Sequence, residues 1–265
     1  ESNHSAAIEQ VVGMALDSTT VSNAESALVT IRDGLTAVSN QLPLSLAKRI
    51  RRKVWKRRWK QNKYRCYAAA WRGALGGFLG FGIGMGPILV AVDMPIEKLI
   101  FDIKTNPSET IAIMLAAMVL FGTVGGLVLM GGGFSYSILK QLFDGRLKQH
   151  NWIISSTITS FLFGFSMILF SLFSSPDKEL ALYFQALLAG LLIGGVNSAL
   201  STIPIRLKPF LQRTVTIICG VLVFLVIGNF EPFHGSDPAL RMFAGITTAA
   251  GFFWAFNHQM RQRPG

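Results

Sequence analysis

Six apolar stretches follow one another between Arg72 and Gly265, and this succession constrains the fold more than any other feature of the chain. They cover about residues 74–92, 111–131, 152–173, 180–203, 215–230 and 242–256. Each approaches the roughly 20 residues that an α-helix needs to cross about 30 Å of hydrocarbon. Because backbone in lipid must satisfy its own hydrogen bonds, and because these stretches are too long for barrel strands, we expect an all-α, polytopic integral membrane protein with about six transmembrane helices. The last two stretches are short, so the alternative is four spans followed by a re-entrant hairpin that does not cross the membrane.

The charges between these stretches alternate from one loop to the next. Lysine and arginine concentrate in residues 48–72, 140–148, 206–213 and 261–263, where Asp144 is the only acid, whereas the other loops carry mostly acids. Short basic loops stay in the cytoplasm, so we expect both termini to be cytoplasmic and the spans to form three hairpins. The five tryptophans fall on or near the same predicted side, which suits their preference for the headgroup layer.

Three regions follow from this pattern. Residues 1–47 are predicted to form two modest amphipathic helices, either a linker or the tail of an upstream domain. Residues 48–72 are predicted to form a basic interfacial helix, and residues 73–265 the six-helix transmembrane domain.

The basic region suggests a lipid partner. Residues 48–65 carry eleven basic side chains and no acid. A net charge of +11 would suggest nucleic acid in a soluble protein, but beside membrane spans it favours anionic lipid and makes nucleic acid unlikely. The candidate lipid-binding residues are Lys48, Arg49, Arg51, Arg52, Lys53, Trp55, Lys56, Arg57, Arg58, Trp59 and Lys60. The alternative is a topology signal with no specific role in lipid binding.

Glycines at helical spacing indicate close packing between spans. The candidate packing residues are Gly76, Gly80, Gly84, Gly122, Gly126, Gly190, Gly194 and Gly245. Small residues at such spacing let neighbouring backbones approach, and their recurrence in every second span suggests a weak threefold hairpin repeat. A broken, unwound first span lining a solute path is the alternative. We also expect Gly131, Gly132 and Gly133 to end the second span, with a short surface helix at residues 138–143.

Polar residues inside the predicted spans are uncharged. Gln185 and Asn197 lie in the fourth span, and the third contains several serines and threonines. Hydrogen bonds between helices explain them best, with a path for a solute through Gln185 and Asn197 as the alternative. No carboxylate or histidine is placed to hold a coupling proton in mid-membrane.

Catalytic and metal chemistry have little support in the sequence. The loop at residues 231–237 brings acids, His234 and Ser236 together, but a short hydrated turn is the expected explanation. The histidines have no metal-binding spacing, so we expect no catalytic site, no metal and no cofactor. Cys66 could carry a palmitoyl group in a eukaryote, although a plain interfacial cysteine is favoured.

These features favour a membrane-embedded anchoring or signal-transmitting domain of a longer multidomain protein, with its cytoplasmic face bound to anionic lipid. The expected partner is a soluble domain upstream of Glu1, since the helices predicted for residues 1–47 have little to pack on. Association with further copies of this chain is also possible. The alternative is a stand-alone transporter or channel for a neutral or weakly charged small solute, and a membrane enzyme ranks third. Short loops favour a bacterial inner membrane.

Overall fold

The computed structural model describes residues 44–90, 96–143, 146–174, 179–203, 209–230, 233–234 and 236–260. Within these residues all regular secondary structure is helical, as expected. The chain separates into two compact units, residues 1–61 and 62–265, and the described part of the first unit is residues 44–61. The amphipathic helices were predicted for residues 1–47; residues 1–43 lie outside the described residues, and residues 44–47 belong to the first described helix.

The helices succeed one another with few described residues between them. They are α1 Leu44–Val90, α2 Ile96–Thr105, α3 Pro107–Leu142, α4 Arg146–Gln149, α5 Asn151–Ser174, α6 Leu180–Thr202, α7 Pro209–Ile227 and α8 Pro238–Met260. Five of them, α3 and α5 to α8, are long and apolar enough to cross a membrane. The first expected span belongs to α1 and runs past the last described residue of that helix.

The first helix is continuous, which corrects the broken-helix alternative. The backbone of α1 stays helical through all its glycines and through Pro87. Proline has no amide hydrogen, so the bond to the Ile83 carbonyl is missing, but the helix continues to Val90. The basic and glycine-rich segments are therefore consecutive parts of one helix.

The second expected span is longer than predicted, because the three glycines do not end it. α3 continues through Gly131, Gly132 and Gly133 to Leu142, and the expected surface helix at residues 138–143 is mostly its last turn. Gly133 packs against α1, where an added Cβ would lie 2.9 Å from the carbonyl oxygen of Ala69. A glycine that is needed for close packing between helices has no reason to act as a helix stop.

The loop between the first two expected spans contains α2, which the sequence analysis missed. Leu99 is buried, and Ile103, one turn further on, packs against the core. Pro107 then starts α3, a position that suits proline because the first amide of a helix needs no partner. Charged residues in this loop therefore lie on the outer face of a short amphipathic helix.

Each glycine pair of the second unit packs against the preceding long helix. The contacts join Gly122 to Phe78, Gly126 to Ala74, Gly190 to Phe163, Gly194 to Thr159 and Gly245 to Val221. α1 with α3, α5 with α6 and α7 with α8 are thereby antiparallel pairs with the same kind of contact. The spacing that suggested a repeat thus corresponds to one recurrent mode of packing.

An aromatic cluster fills the centre of this unit. Phe81 of α1 meets Phe121 of α3 and Phe163 of α5 edge to face, with ring centroids 5.9 and 5.2 Å apart. Phe163 also stacks on Phe252 of α8 at 5.6 Å. Such pairs add about 0.5–1.5 kcal/mol each beyond simple burial. The centre of the bundle is therefore apolar.

Candidate functional sites

The basic segment of α1 presents both charge and aromatic surface. Trp55 and Trp59 stack one helical turn apart, with ring planes 2° apart and centroids separated by 6.0 Å. Arg52, Lys56 and Lys60 are exposed around them. Of the other candidates, Lys53 is exposed, Arg57 and Arg58 are half-buried, and the side chains of Lys48, Arg49 and Arg51 lie outside the described residues. Cationic heads beside amphipathic rings suit an anionic headgroup layer.

The glycines of α1 form two faces rather than one. Gly76, Gly80 and Gly84 lie against α8, where their added Cβ atoms would meet the Gly251 carbonyl oxygen at 2.6 Å, the Thr247 carbonyl oxygen at 2.7 Å and the Thr247 hydroxyl, respectively. A second set lies against α3 and was not singled out from the sequence; its members Gly73, Gly77 and Gly82 meet backbone oxygens of Leu129, Gly125 and Met118. The spacing of Gly73 and Gly77 was the available signal for this second face.

A cluster of buried polar side chains lies among α5 to α8. Its members are Ser155, Ser156, Thr159, Asn197, Ser198, Ser201, Thr202, Gln212, Thr216 and Thr248. Few hydrogen bonds of the described residues in this region join two helices: Ser160 Oγ donates to the Leu191 carbonyl at 2.7 Å, Gln212 Nε2 donates to the Leu200 carbonyl at 3.4 Å, and the hydroxyls of Ser156 and Thr202 lie 3.4 Å apart. Most of the other hydroxyls donate to a carbonyl one turn earlier in their own helix, as do those of the more exposed Thr157 and Ser166.

The two residues proposed for a solute path are not brought together. Gln185 and Asn197 lie on the same helix, twelve residues apart, which is about 18 Å along its axis. Gln185 is half-buried, whereas Asn197 is wholly buried and belongs to the polar cluster. The cluster therefore contains one of the two predicted residues and adds Ser201 and Thr248, which the sequence analysis did not single out.

The loop before α8 uses its polar groups to start that helix. The Asp237 carboxylate accepts the backbone N–H of Ala239 at 2.7 Å, which is the geometry of an N-cap. Ser236 Oγ donates to the Phe233 carbonyl at 2.6 Å and accepts a hydrogen bond from Arg241 Nε at 2.9 Å, while His234 is exposed. Glu231 lies outside the described residues. Among the residues that the structure describes, no group of three or more His, Cys, Asp or Glu could hold a metal ion.

Cys66 is a buried, packed thiol. Its side chain is wholly buried, and its sulfur accepts a hydrogen bond from Ser137 Oγ at 3.6 Å; Gln141 Nε2 in turn donates to that hydroxyl at 3.0 Å. Burial raises the pKa of the Cys66 thiol, and the bond from Ser137 offsets part of this effect. Acylation needs an accessible thiolate, so this environment does not favour a palmitoyl group.

The five long apolar helices define the class of protein. Large apolar side chains such as Phe173 and Phe210, 87% and 79% exposed, point outward from these helices, as lipid-facing residues do. The chain is thus an all-helical, multi-pass membrane protein. No protein-family model, curated protein or solved structure matches it.

Proposed function

We propose that this chain is the membrane anchor of a longer protein, or its signal-transmitting domain, and that its basic segment binds anionic lipid on the cytoplasmic leaflet. The observation that carries this proposal is the exposure of Arg52, Lys56 and Lys60 around the stacked Trp55 and Trp59. Each basic residue near an anionic surface contributes about 1 kcal/mol. These three cations alone would supply about 3 kcal/mol of attraction.

The topology that accompanies this proposal has six spans with both termini in the cytoplasm. α1 is the additional span, because its glycine-rich part packs along α3 and α8, two helices that are themselves long and apolar enough to cross. The basic segment, residues 140–148 and residues 206–213 then share the cytoplasmic side. The soluble domain that this anchor would serve is part of the same proposal.

The lipid proposal is tested with the full chain in nanodiscs or detergent. We expect Arg52→Gln with Lys56→Gln to weaken retention of phosphatidylglycerol, relative to phosphatidylcholine, by about 2 kcal/mol at low salt. Native mass spectrometry of the purified protein counts the retained lipids. The difference should fade near 1 M salt, where the Debye length is only about 3 Å.

A matched control removes two exposed cations from α2. Lys98→Gln with Lys104→Gln makes the same change in net charge, but Glu97 and Asp102 balance the two lysines of that helix. We expect this control to retain phosphatidylglycerol as the unmodified chain does. An equal loss in both variants would mean that net charge alone governs retention, and the proposed site would be wrong.

A further inference from the structure

One face of α1 carries a row of exposed aromatic side chains in the part of the helix that belongs to the second unit. Tyr64, Tyr67 and Trp71 are 72%, 54% and 65% exposed. Their spacing of three and four residues places them on the same side of the helix, over about 10 Å of its length. A contiguous exposed patch of large rings marks a surface that meets a partner. We call these three residues the aromatic face of α1.

The other side of the same turns is packed in the bundle. Cys66 and Ala69 are buried, and the Ala69 carbonyl oxygen lies against Gly133 of α3. At the edge of the aromatic face, the Tyr67 ring stacks on Phe134 of α3, with ring centroids 6.3 Å apart. The packing on α3 therefore fixes the direction of the aromatic face, which points away from the bundle.

The chemistry along α1 changes in the order that a membrane surface requires. Lys63 and Arg65 flank the first ring of the aromatic face, and Lys63 Nζ lies 4.9 Å from the centroid of the Tyr64 ring. About two turns beyond the last ring, the exposed side chains are the wholly apolar Phe78 and Leu79. Charged, amphipathic and apolar side chains thus follow one another. Tyrosine and tryptophan prefer the headgroup level, where the ring meets apolar chains and the polar atom meets water.

The length of α1 beyond the aromatic face matches the thickness of a bilayer. The helix runs from Trp71 to Val90 over about 28 Å, close to the roughly 30 Å of hydrocarbon that a span must cross. If the headgroups lay at Trp59 instead, about 46 Å of helix would follow. That placement would also put Arg65 and Arg72 at hydrocarbon depth, where charged side chains are costly. The aromatic face is therefore the better position for the membrane surface.

Two further helices carry matching side chains at the same end of the bundle. Trp254 of α8 is half-exposed, and its ring lies against Gly76 of α1, where an added Cβ would be 3.2 Å from Trp254 Cε3. Next to it in the chain, the Phe253 ring lies under the guanidinium of Arg213 of α7, which is 5.4 Å from the ring centroid. A cation held over an aromatic ring suits the edge of a membrane. The band of rings and cations thus extends from α1 to α7 and α8.

We propose that the aromatic face of α1 lies in the headgroup and glycerol layer of the cytoplasmic leaflet, where Tyr64, Tyr67 and Trp71 contact phospholipid. This inference rests on the proposed six-span topology, in which α1 crosses the membrane. It assigns residues 62–72 to the entry of the span rather than to the basic interfacial helix predicted for residues 48–72. Lipid binding by the basic segment is a separate property, and either can fail without the other.

The depth of Trp71 is measured by fluorescence quenching in a chain that contains no other tryptophan. Phenylalanine replaces Trp55, Trp59, Trp152 and Trp254, and the full chain is reconstituted in vesicles of phosphatidylcholine and phosphatidylglycerol with bromine at a shallow or a deep acyl position. We expect the shallow bromine to quench Trp71 several-fold more strongly than the deep bromine. Stronger quenching by the deep bromine, or no quenching by either lipid, would overturn the proposal.

A deeper probe separates this proposal from the topology on which it rests. In the same background, Trp71→Phe with Phe78→Trp moves the tryptophan by about 10 Å along α1, and the order of quenching should reverse. Failure of the deep bromine to quench this variant would refute the six-span topology and the proposal with it. A reversed order with Trp71 quenched only by aqueous acrylamide would refute the aromatic face alone. If the multiple replacement does not fold, the difference in quenching between the unmodified chain and Trp71→Phe reports the depth of Trp71 by the same criteria.

Discussion

Replacing Gly190 by alanine tests whether the backbones of α5 and α6 are in direct contact. The added Cβ would lie 2.6 Å from the Phe163 carbonyl oxygen and 2.7 Å from Gly164 Cα, both backbone atoms that cannot rotate away. Ordinary contacts between carbon atoms lie at about 3.5–4.0 Å, so the two helices must separate by roughly 1 Å. Overpacking of this kind costs about 1–3 kcal/mol, against a gain of about 0.5–1 kcal/mol in helix propensity. We expect a net loss of about 1 kcal/mol.

Gly131→Ala is the matched control for this change. Among the described residues, the atom near its added Cβ is Leu162 Cδ1 at 3.0 Å, the end of a flexible side chain. The gain in helix propensity from glycine to alanine, about 0.5–1 kcal/mol, should therefore not be offset by overpacking at this position. Thermal unfolding of the purified protein is followed with a thiol-reactive fluorophore, which reaches the buried Cys66 on unfolding. Since about 1 kcal/mol shifts the Tm of a chain of this size by roughly 2–4 °C, the two variants should differ by several degrees. Equal Tm values would refute direct backbone contact at Gly190.

Two further predictions concern single side chains. The folded pKa of the Cys66 thiol is raised, so its contribution to stability is fully present below its ordinary pKa of 9.0 and is lost as the pH rises through the folded value. The Tm of the unmodified chain should therefore fall more steeply at alkaline pH than the Tm of Cys66→Ala. Parallel curves of Tm against pH would contradict this prediction. Asp237→Ala removes the N-cap of α8 and should lower the free energy of unfolding, measured by thermal unfolding, by about 0.5–2 kcal/mol. Asp237→Asn should cost less, because the side-chain oxygen of asparagine can still accept the hydrogen bond. Equal losses of stability would show that the charge matters rather than the cap.

Helix boundaries followed from the sequence where a strong local signal flanked the apolar stretch. The fourth span was expected at residues 180–203 and α6 is Leu180–Thr202, with Glu179 before it and Pro204 shortly after. α7 and α8 begin earlier than predicted, at Pro209 and Pro238. Their first turns contain polar residues, which a helix accepts but which a search for apolar stretches leaves out. The spans that looked short were therefore complete helices of 19 and 23 residues.

The structural role of individual glycines could not be predicted from the sequence. At Gly133 it permits close packing in mid-helix, although the same residue often ends a helix. Which reading applies depends on Ala69, more than sixty residues earlier in the chain, and a local pattern carries no information about that neighbour. The same limit applies to Ser201 and Thr248, because what distinguishes their hydroxyls from the neighbouring ones is a missing partner in the packed structure.

The two glycine faces of α1 imply an order of events during synthesis. Gly80 must meet α8, whose Gly251 lies far along the chain, as closely as Gly77 meets α3. At about 5–20 residues per second, α8 follows α1 from the ribosome after an interval on the order of 10 s. In the proposed six-span topology, one backbone face of α1 has no helix of this chain to pack against throughout that interval. α1 can therefore pair with α3 early, but its second face waits for α8, and a pause in translation between them would prolong a half-assembled state.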